Sequence, residues 1–497
     1  MLSSHELAEA LSGQAPGGMG SRAARGVVWT TVQSLVVRLG GFVVFLVLAR
    51  LLAPAQFGLL AAAQVFIALS RTVAEAGFTR TLVQRPQLRS AHLDSALLVA
   101  GLIGVSLTGA LVAAAPAIAG LYHLPGLRPV LVALAVVPFF TAISKVPESL
   151  LRRQLRFRAV AMRGTWAVVL SGVLGIALAL AGAGVWALVA QTLGQVITAA
   201  VVMWVMVGWR PSRHWEWGAI RELMSFGTQV MGISLLTFLN RRTGELLVGI
   251  LLGPIALGLF SVGMKILVFC MDLLVWNVQK VALPVFSRVA EQPRRLARAY
   301  LRATAVTTFV ALPGFTLLGV FGNQLTPLVF GDKWLAAGPL MSILALVGPV
   351  QSIAIFNNSI MLATGHSARA LLWTALTAVL NVAGFAVSAH FGIQVVAAVY
   401  AGIAWALFPV GLYLVRTVST VRFLDQVRGA GLPLLGCAAM LAVVVVLRAL
   451  GVPGPKALVL IGIPLALAAY LAVTLPFRRQ LVRSALLRVR ATAAARG

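Results

Sequence analysis

Two sets of polar residues sit inside apolar runs and repeat one another's spacing. Thr31, Ser34 and Arg38 follow at steps of three and four, and so do Ser234, Thr237 and Arg241, which Glu245 extends by one turn. In a helix each set lies on one face. Arg presents a planar fork that takes phosphate oxygens two at a time, and such bonds strengthen away from water. Gln64, Arg71 and Glu75 share a second face, and Lys265 and Asp272, seven apart, share a third. Arg71–Glu75 and Arg241–Glu245 are i,i+4 pairs of opposite charge that partly neutralise each other, whereas Arg242 points about 100° away from Arg241 on a helix of 3.6 residues per turn. Lys145 and Glu148 lie near a loop and read as interface anchors. Asn357, Asn358 and Asn381 can bind hydroxyl-rich ligands or pack between helices.

The elements carrying these residues are membrane helices. Sixty per cent of the 497 residues are hydrophobic and 10% are charged, with a mean hydropathy of +0.97. A soluble surface of this size needs far more charge. Each charge kept at mid-bilayer costs about 2.5–3.5 kcal/mol on insertion scales, so it needs a reason to be there. The 40 Lys and Arg against 12 Asp and Glu give +28, which reads as basic loops fixing orientation rather than as nucleic-acid binding. No metal, cofactor or catalytic constellation is visible, and Cys270 and Cys437 both lie in apolar runs.

Runs of about 20 apolar residues predict an all-α integral membrane protein with about fourteen spans. With both termini inside, 29 of the Lys and Arg lie in or beside inner loops and five lie outside. The expected organisation is a cytoplasmic tail over 1–21, without the basic start of a signal peptide, a six-helix lobe over 22–210 and an interfacial linker over 211–223. A second six-helix lobe follows over 224–418, then two spans over 429–476 and a basic cytoplasmic tail over 477–497. The inner loops, such as LRRQLRFRAVAMR at 151–163, mix Arg with apolar residues as an anionic leaflet favours.

ARLLAPAQFGLL and GILLGPIALGLF mark a repeat. Leu51, Leu52, Pro54, Gly58 and Leu59 return as Leu251, Leu252, Pro254, Gly258 and Leu259. An even number of spans per copy predicts two pseudo-symmetric lobes related by an axis along the membrane normal.

The run from Arg25 to Pro86 (VFLVLARLLAPAQFG, QVFIALSRTVAEAGF, TLVQRP) resembles bacterial polysaccharide-transporter flippases of the colanic- and teichuronic-acid exporter branch. LLRRQLRFRAVA at 150–161, GAGVWALVAQ at 182–191 and FGTQVMGISLLTFLNRR at 226–242 fit in order. So do ALPVFSRV at 282–289 and PLVFGDKWLAAGPLMSILAL at 327–346. One departure is NRRTGELLVG, where Gly244 and Glu245 replace an Arg…Asp arrangement. The resemblance implies a member of the multidrug/oligosaccharidyl-lipid/polysaccharide exporter superfamily that flips undecaprenyl-diphosphate-linked sugar repeat units. Partners would be that lipid, the surrounding membrane lipids and a polysaccharide polymerase, in the bacterial inner membrane.

On that reading Arg38, Arg241, Lys265 and Arg242 are the pyrophosphate candidates. Thr31, Ser34, Ser234, Thr237, Asn357 and Asn358 would touch sugars, and Glu75, Arg71, Glu245 and Asp272 would form ion pairs or couple transport to an ion. Two alternatives stay open. A drug or other lipid exporter of the superfamily favours a carboxylate-lined lobe, and the first span has no carboxylate. A membrane glycosyltransferase or polymerase needs a sizeable external acidic loop, and the outer loops reach only about a dozen residues.

Overall fold

A computed structural model of the chain describes residues 19–75, 90–154, 156–212, 216–452 and 454–494. Side-chain surroundings are described within these segments except at 19–32, 75, 90–91, 157, 219–237, 239–241, 277, 280 and 477–494. The described residues form helices joined by short turns, and they divide into two compact units, Met1–Ser261 and Val262–Gly497.

The first unit runs α1 (Met19–Leu51), α2 (Pro54–Glu75), α3 (Ser90–Leu121), α4 (Leu127–Leu134), α5 (Val137–Arg153), α6 (Phe157–Leu180), α7 (Val185–Val207) and most of α8 (Trp217–Met271). Helix α6 packs against both α1 and α7. Leu93 and Ala96 of α3, Val146, Leu150 and Leu151 of α5, and Met203 and Val207 of α7 bury one another in a common core. Elsewhere large apolar side chains such as Leu180, Val173 and Val205 face outward. In water such surface would drive association; against lipid it is the expected exterior.

The second unit takes in the end of α8, a π turn at Asp272–Trp276, α9 (Asn277–Arg288), α10 (Pro293–Phe330) and the short helices α11 (Ala337–Ala345), α12 (Val347–Ala354) and α13 (Asn357–Ala363). It ends with α14 (Ser367–Ser388), α15 (Ile393–Val418), α16 (Phe423–Ala449) and α17 (Gly454–Ala494). Phe286, Tyr300, Phe356, Ile360 and Val415 form its central core. Helices α16 and α17 attach to α10 through Leu312, Cys437, Met440 and Tyr470. The segment expected as a C-terminal tail continues α17 as helix to Ala494.

Thirteen helices among the described residues are long and apolar enough to cross a membrane, rather than fourteen. One of them, Arg242–Arg288, has 47 residues, about 70 Å of helix at 1.5 Å per residue and so room for two crossings. It is broken at Gly253, whose φ of 80° and ψ of −176° leave the helical region.

The repeated sequence explains this break. At the first copy Ala53 precedes Pro54, a helix-starting proline. The Ala53 backbone N–H donates to the Gln56 side-chain oxygen at 2.9 Å, the returning arm of a capping box. The second copy has no glutamine there and instead uses Gly253, which adopts positive φ without a Cβ clash. The two copies also meet. A Cβ added at Gly58 would lie 1.8 Å from the Pro254 carbonyl oxygen, and one added at Gly258 would lie 1.9 Å from that of Pro54. Both glycines are needed for backbone to pass against backbone.

Candidate functional site

Helix α8 carries the ion pair at the centre of the candidate site. Arg242 Nη1 donates to Glu245 Oε2 at 2.5 Å, and the glutamate side chain is only 14% exposed. The i,i+4 spacing predicts Arg241 as the partner of Glu245; the described partner is Arg242, one turn of i,i+3 away. Both spacings put side chains within reach on a helix; the Arg241 side chain lies outside the described residues, and Arg242 lies within reach of the same acid. Its guanidinium is engaged by Glu245.

Beside this pair lies Tyr122, in the turn between α3 and α4, a residue with no polar sequence motif to mark it. Its side chain is buried, its hydroxyl has no hydrogen-bond partner among the described groups, and its ring stands edge-on to Phe66. Gly249 of α8 makes room for that ring, since a Cβ there would come 2.6 Å from Tyr122 Cε1. Burial first, and then the negative charge of Glu245, push the Tyr122 hydroxyl well above its ordinary pKa. The phenol therefore stays protonated and offers a donor beside a carboxylate.

Arg38 is half-buried and Ser34 exposed on α1, and Arg71 is exposed on α2. The side chains of Thr31, Glu75, Ser234, Thr237 and Arg241 lie outside the described residues, and the two matched polar stripes and the Arg71–Glu75 pair lie outside them too. In the second unit Lys265 is exposed and Asp272 half-buried. Asp272 opens the π turn, a helix irregularity that recurs at functional sites.

Of the two uses open to Asn357, sugar binding and packing between helices, its surroundings favour the second. It is fully buried, and its Oδ1 accepts a 2.8 Å hydrogen bond from the Tyr300 hydroxyl. The same hydroxyl lies 3.0 Å from Gln426 Oε1, while the Gln426 amide donates to the Leu412 carbonyl at 3.4 Å. This network ties α10, α13, α15 and α16 together and holds Asn357 as a packing residue. Asn358 is half-buried beside it.

Lys145 and Glu148 are not simple surface anchors either. The Glu148 side chain is buried and gathers three cations. Arg152 donates from Nε at 3.0 Å and from Nη2 at 2.7 Å to Oε1. Arg163 Nη1 donates at 2.9 Å and Lys145 Nζ at 3.5 Å to Oε2. Two of the arginines expected to lie on the lipid leaflet therefore converge on an acid inside the helical hairpin. The Glu148–Arg152 spacing of four was legible in the sequence; Arg163, 15 positions from Glu148, joins through the fold. The linker is fixed by another acid that sequence reading passed over. Asp94, buried on α3, accepts from the Ser212 backbone N–H at 3.1 Å and from the Ser212 hydroxyl, and the Glu216 N–H donates to Ser95 Oγ at 3.0 Å.

Residues 47–339 match the family model described as "Polysaccharide biosynthesis protein". The chain is 26% identical to the teichuronic acid biosynthesis protein TuaB of Bacillus subtilis over 419 residues, covering 84% of this chain and 86% of TuaB. It is 24% identical over 344 residues to the lipopolysaccharide biosynthesis protein WzxC of Escherichia coli, covering 68% and 69%. Among solved structures, the lipid II flippase MurJ in an inward closed conformation has the same fold, with a TM-score of 0.76 at 14% identity, over 92% of this chain and all of that one. An all-helical membrane body, broken at two copies of one turn and matched over more than half its length, is a member of the polysaccharide biosynthesis protein family.

Proposed function

We propose that the protein is a flippase that carries undecaprenyl-diphosphate-linked oligosaccharide repeat units from the inner to the outer leaflet of the bacterial cytoplasmic membrane. The observation that carries this reading is the family match over 47–339 in a chain that is almost entirely membrane helix. Relatives named for teichuronic acid and lipopolysaccharide biosynthesis support it. Transport proceeds by alternating access of two six-helix lobes, 22–210 and 224–418, with no covalent change to the substrate. Arg38 and Arg241 supply guanidinium forks to the diphosphate, and Lys265 adds positive charge. Sugars cross a hydrated cavity lined by Ser34 and the hydroxyls of the matched stripes, while the prenyl tail stays in lipid. Both termini are cytoplasmic, and a polysaccharide polymerase takes up the product on the far side.

Complementation of a strain lacking its own flippase tests this, with protein level measured in parallel. The wild-type chain restores surface polysaccharide. Arg38→Ala/Arg241→Ala abolishes export at normal protein level, and Arg→Lys at either site is partly defective because a point charge does not reproduce the fork. Full export from the double alanine variant would remove these residues from the diphosphate site.

A further inference from the structure

The cluster around Glu148 takes no part in the mechanism above. It sits at the ends of two adjacent spans, Leu127–Arg153 and Arg158–Leu180. Glu148 and Arg163 each lie five residues from such an end, about 8 Å at 1.5 Å per residue, close to the boundary between hydrocarbon and headgroups. A structural pair needs one cation for one acid. Here Arg152 and Arg163 alone outnumber the carboxylate they share, and Lys145 adds a third positive charge.

Crowding like charges is unfavourable, and an anion beyond the one carboxylate would relieve it. Arg152 uses Nε and Nη2 on Glu148, and Arg163 uses Nη1. Each guanidinium carries five N–H donors, so both retain donors that Glu148 does not take. The Arg152 side chain is 48% exposed and that of Arg163 29%, against 5% for Glu148. The acid is the buried strut, and the forks reach outward from it. Arg156 and Arg158, both exposed, lie between Arg152 and Arg163 in sequence.

We propose that Arg152 and Arg163, braced by Glu148, form a phosphate-docking site at the membrane surface. Its ligand is a lipid phosphate, either the diphosphate of a polyprenyl carrier or the phosphodiester of an anionic phospholipid. The site is distinct from Arg38 and Arg241, and it rests on the flippase reading only for the naming of the prenyl carrier.

Binding to the purified full-length protein in phosphatidylcholine nanodiscs tests it. One arm titrates farnesyl diphosphate; the other measures phosphatidylglycerol retained on the protein by native mass spectrometry. Arg152→Gln/Arg163→Gln should weaken at least one arm tenfold or more, with Arg152→Lys/Arg163→Lys intermediate. Loss in the first arm assigns the site to the diphosphate, and loss in the second to the phospholipid headgroup. If the double glutamine variant does not elute as a single species, Arg152→Gln, which leaves Arg163 and Lys145 on Glu148, makes the same comparison. Wild type and variant binding both probes alike would overturn the proposal. Because the readout is binding, failure to restore export in a flippase-null strain would count against the flippase reading alone.

Discussion

Replacing Gly58 by Ala tests the meeting of the two repeated turns. The added Cβ would lie 1.8 Å from the Pro254 carbonyl oxygen and 2.6 Å from its carbon. Ordinary contact begins near 3.5 Å, so the two segments must part by roughly 1.5 Å. The obstacle is backbone, and no side chain can rotate away. Overpacking costs about 1–3 kcal/mol, and a backbone obstacle places Gly58→Ala near the upper end, about 3 kcal/mol. Gly258→Ala meets Pro54 at 1.9 Å and should cost about the same. Once either alanine has separated the segments, the second finds the space already made, so the double variant should cost well under the sum, as coupled neighbours do. Gly41→Ala is the control: nothing lies within 4 Å of its Cβ, and in a helix interior Ala gains roughly 0.5–1 kcal/mol over Gly. Thermal unfolding in detergent, followed by loss of monodisperse protein, reads all four. Gly58→Ala should melt several degrees below wild type and Gly41→Ala at or above it. Equal melting of Gly58→Ala and Gly41→Ala, or additive losses in the double variant, would refute the close reciprocal crossing.

Three further outcomes are expected. Tyr300→Phe removes the hydroxyl between Asn357 and Gln426 and leaves the buried Asn357 amide oxygen without its donor, costing about 1–3 kcal/mol; the melting temperature should fall, while Tyr300→Trp fails as well because it overfills the site. Glu148→Gln removes the shared charge from Lys145, Arg152 and Arg163 and should cost roughly 2 kcal/mol, discounted for the exposure of the arginines, read as reduced yield and a lower melting temperature. A cysteine at Ser484, in a strain with the native cysteines replaced, should react with a membrane-impermeant maleimide only after lysis. Labelling in intact cells would place the C-terminus outside and invert the orientation drawn from the loop charges.

The membrane class and the helical architecture were legible because composition and run length report on the solvent around a chain. The repeated turn was legible too, since Pro54, Gly58, Pro254 and Gly258 leave a mark that substitution elsewhere does not erase. That the two copies touch was not, because contact between backbones has no residue type of its own beyond glycine. Polar partners were read well only within one helix turn, and not always there. Glu148–Arg152 follows from spacing, whereas the Arg242–Glu245 pair, at a spacing of three, was not singled out. Asn357 looked like a ligand for sugar because nothing local reveals Tyr300, 57 positions away. Tyr122 had no signal at all: an isolated tyrosine in a turn acquires its chemistry only from Gly249 and Glu245, brought to it by the fold.

The contact between the repeated turns has a form that bears on how such a chain arose. Gly58 meets Pro254, and Gly258 meets Pro54, so each copy gives the other the same surface it receives. That reciprocity defines an isologous interface, the kind two identical subunits make across a two-fold axis. A homodimer of six-helix proteins, fused tandemly into one gene, would keep this patch while its outer surfaces drifted apart. Here the residues that face each other are alike, and the first copy's Gln56 has no counterpart at Ala256. A side chain gained at either glycine would be felt by both turns at once.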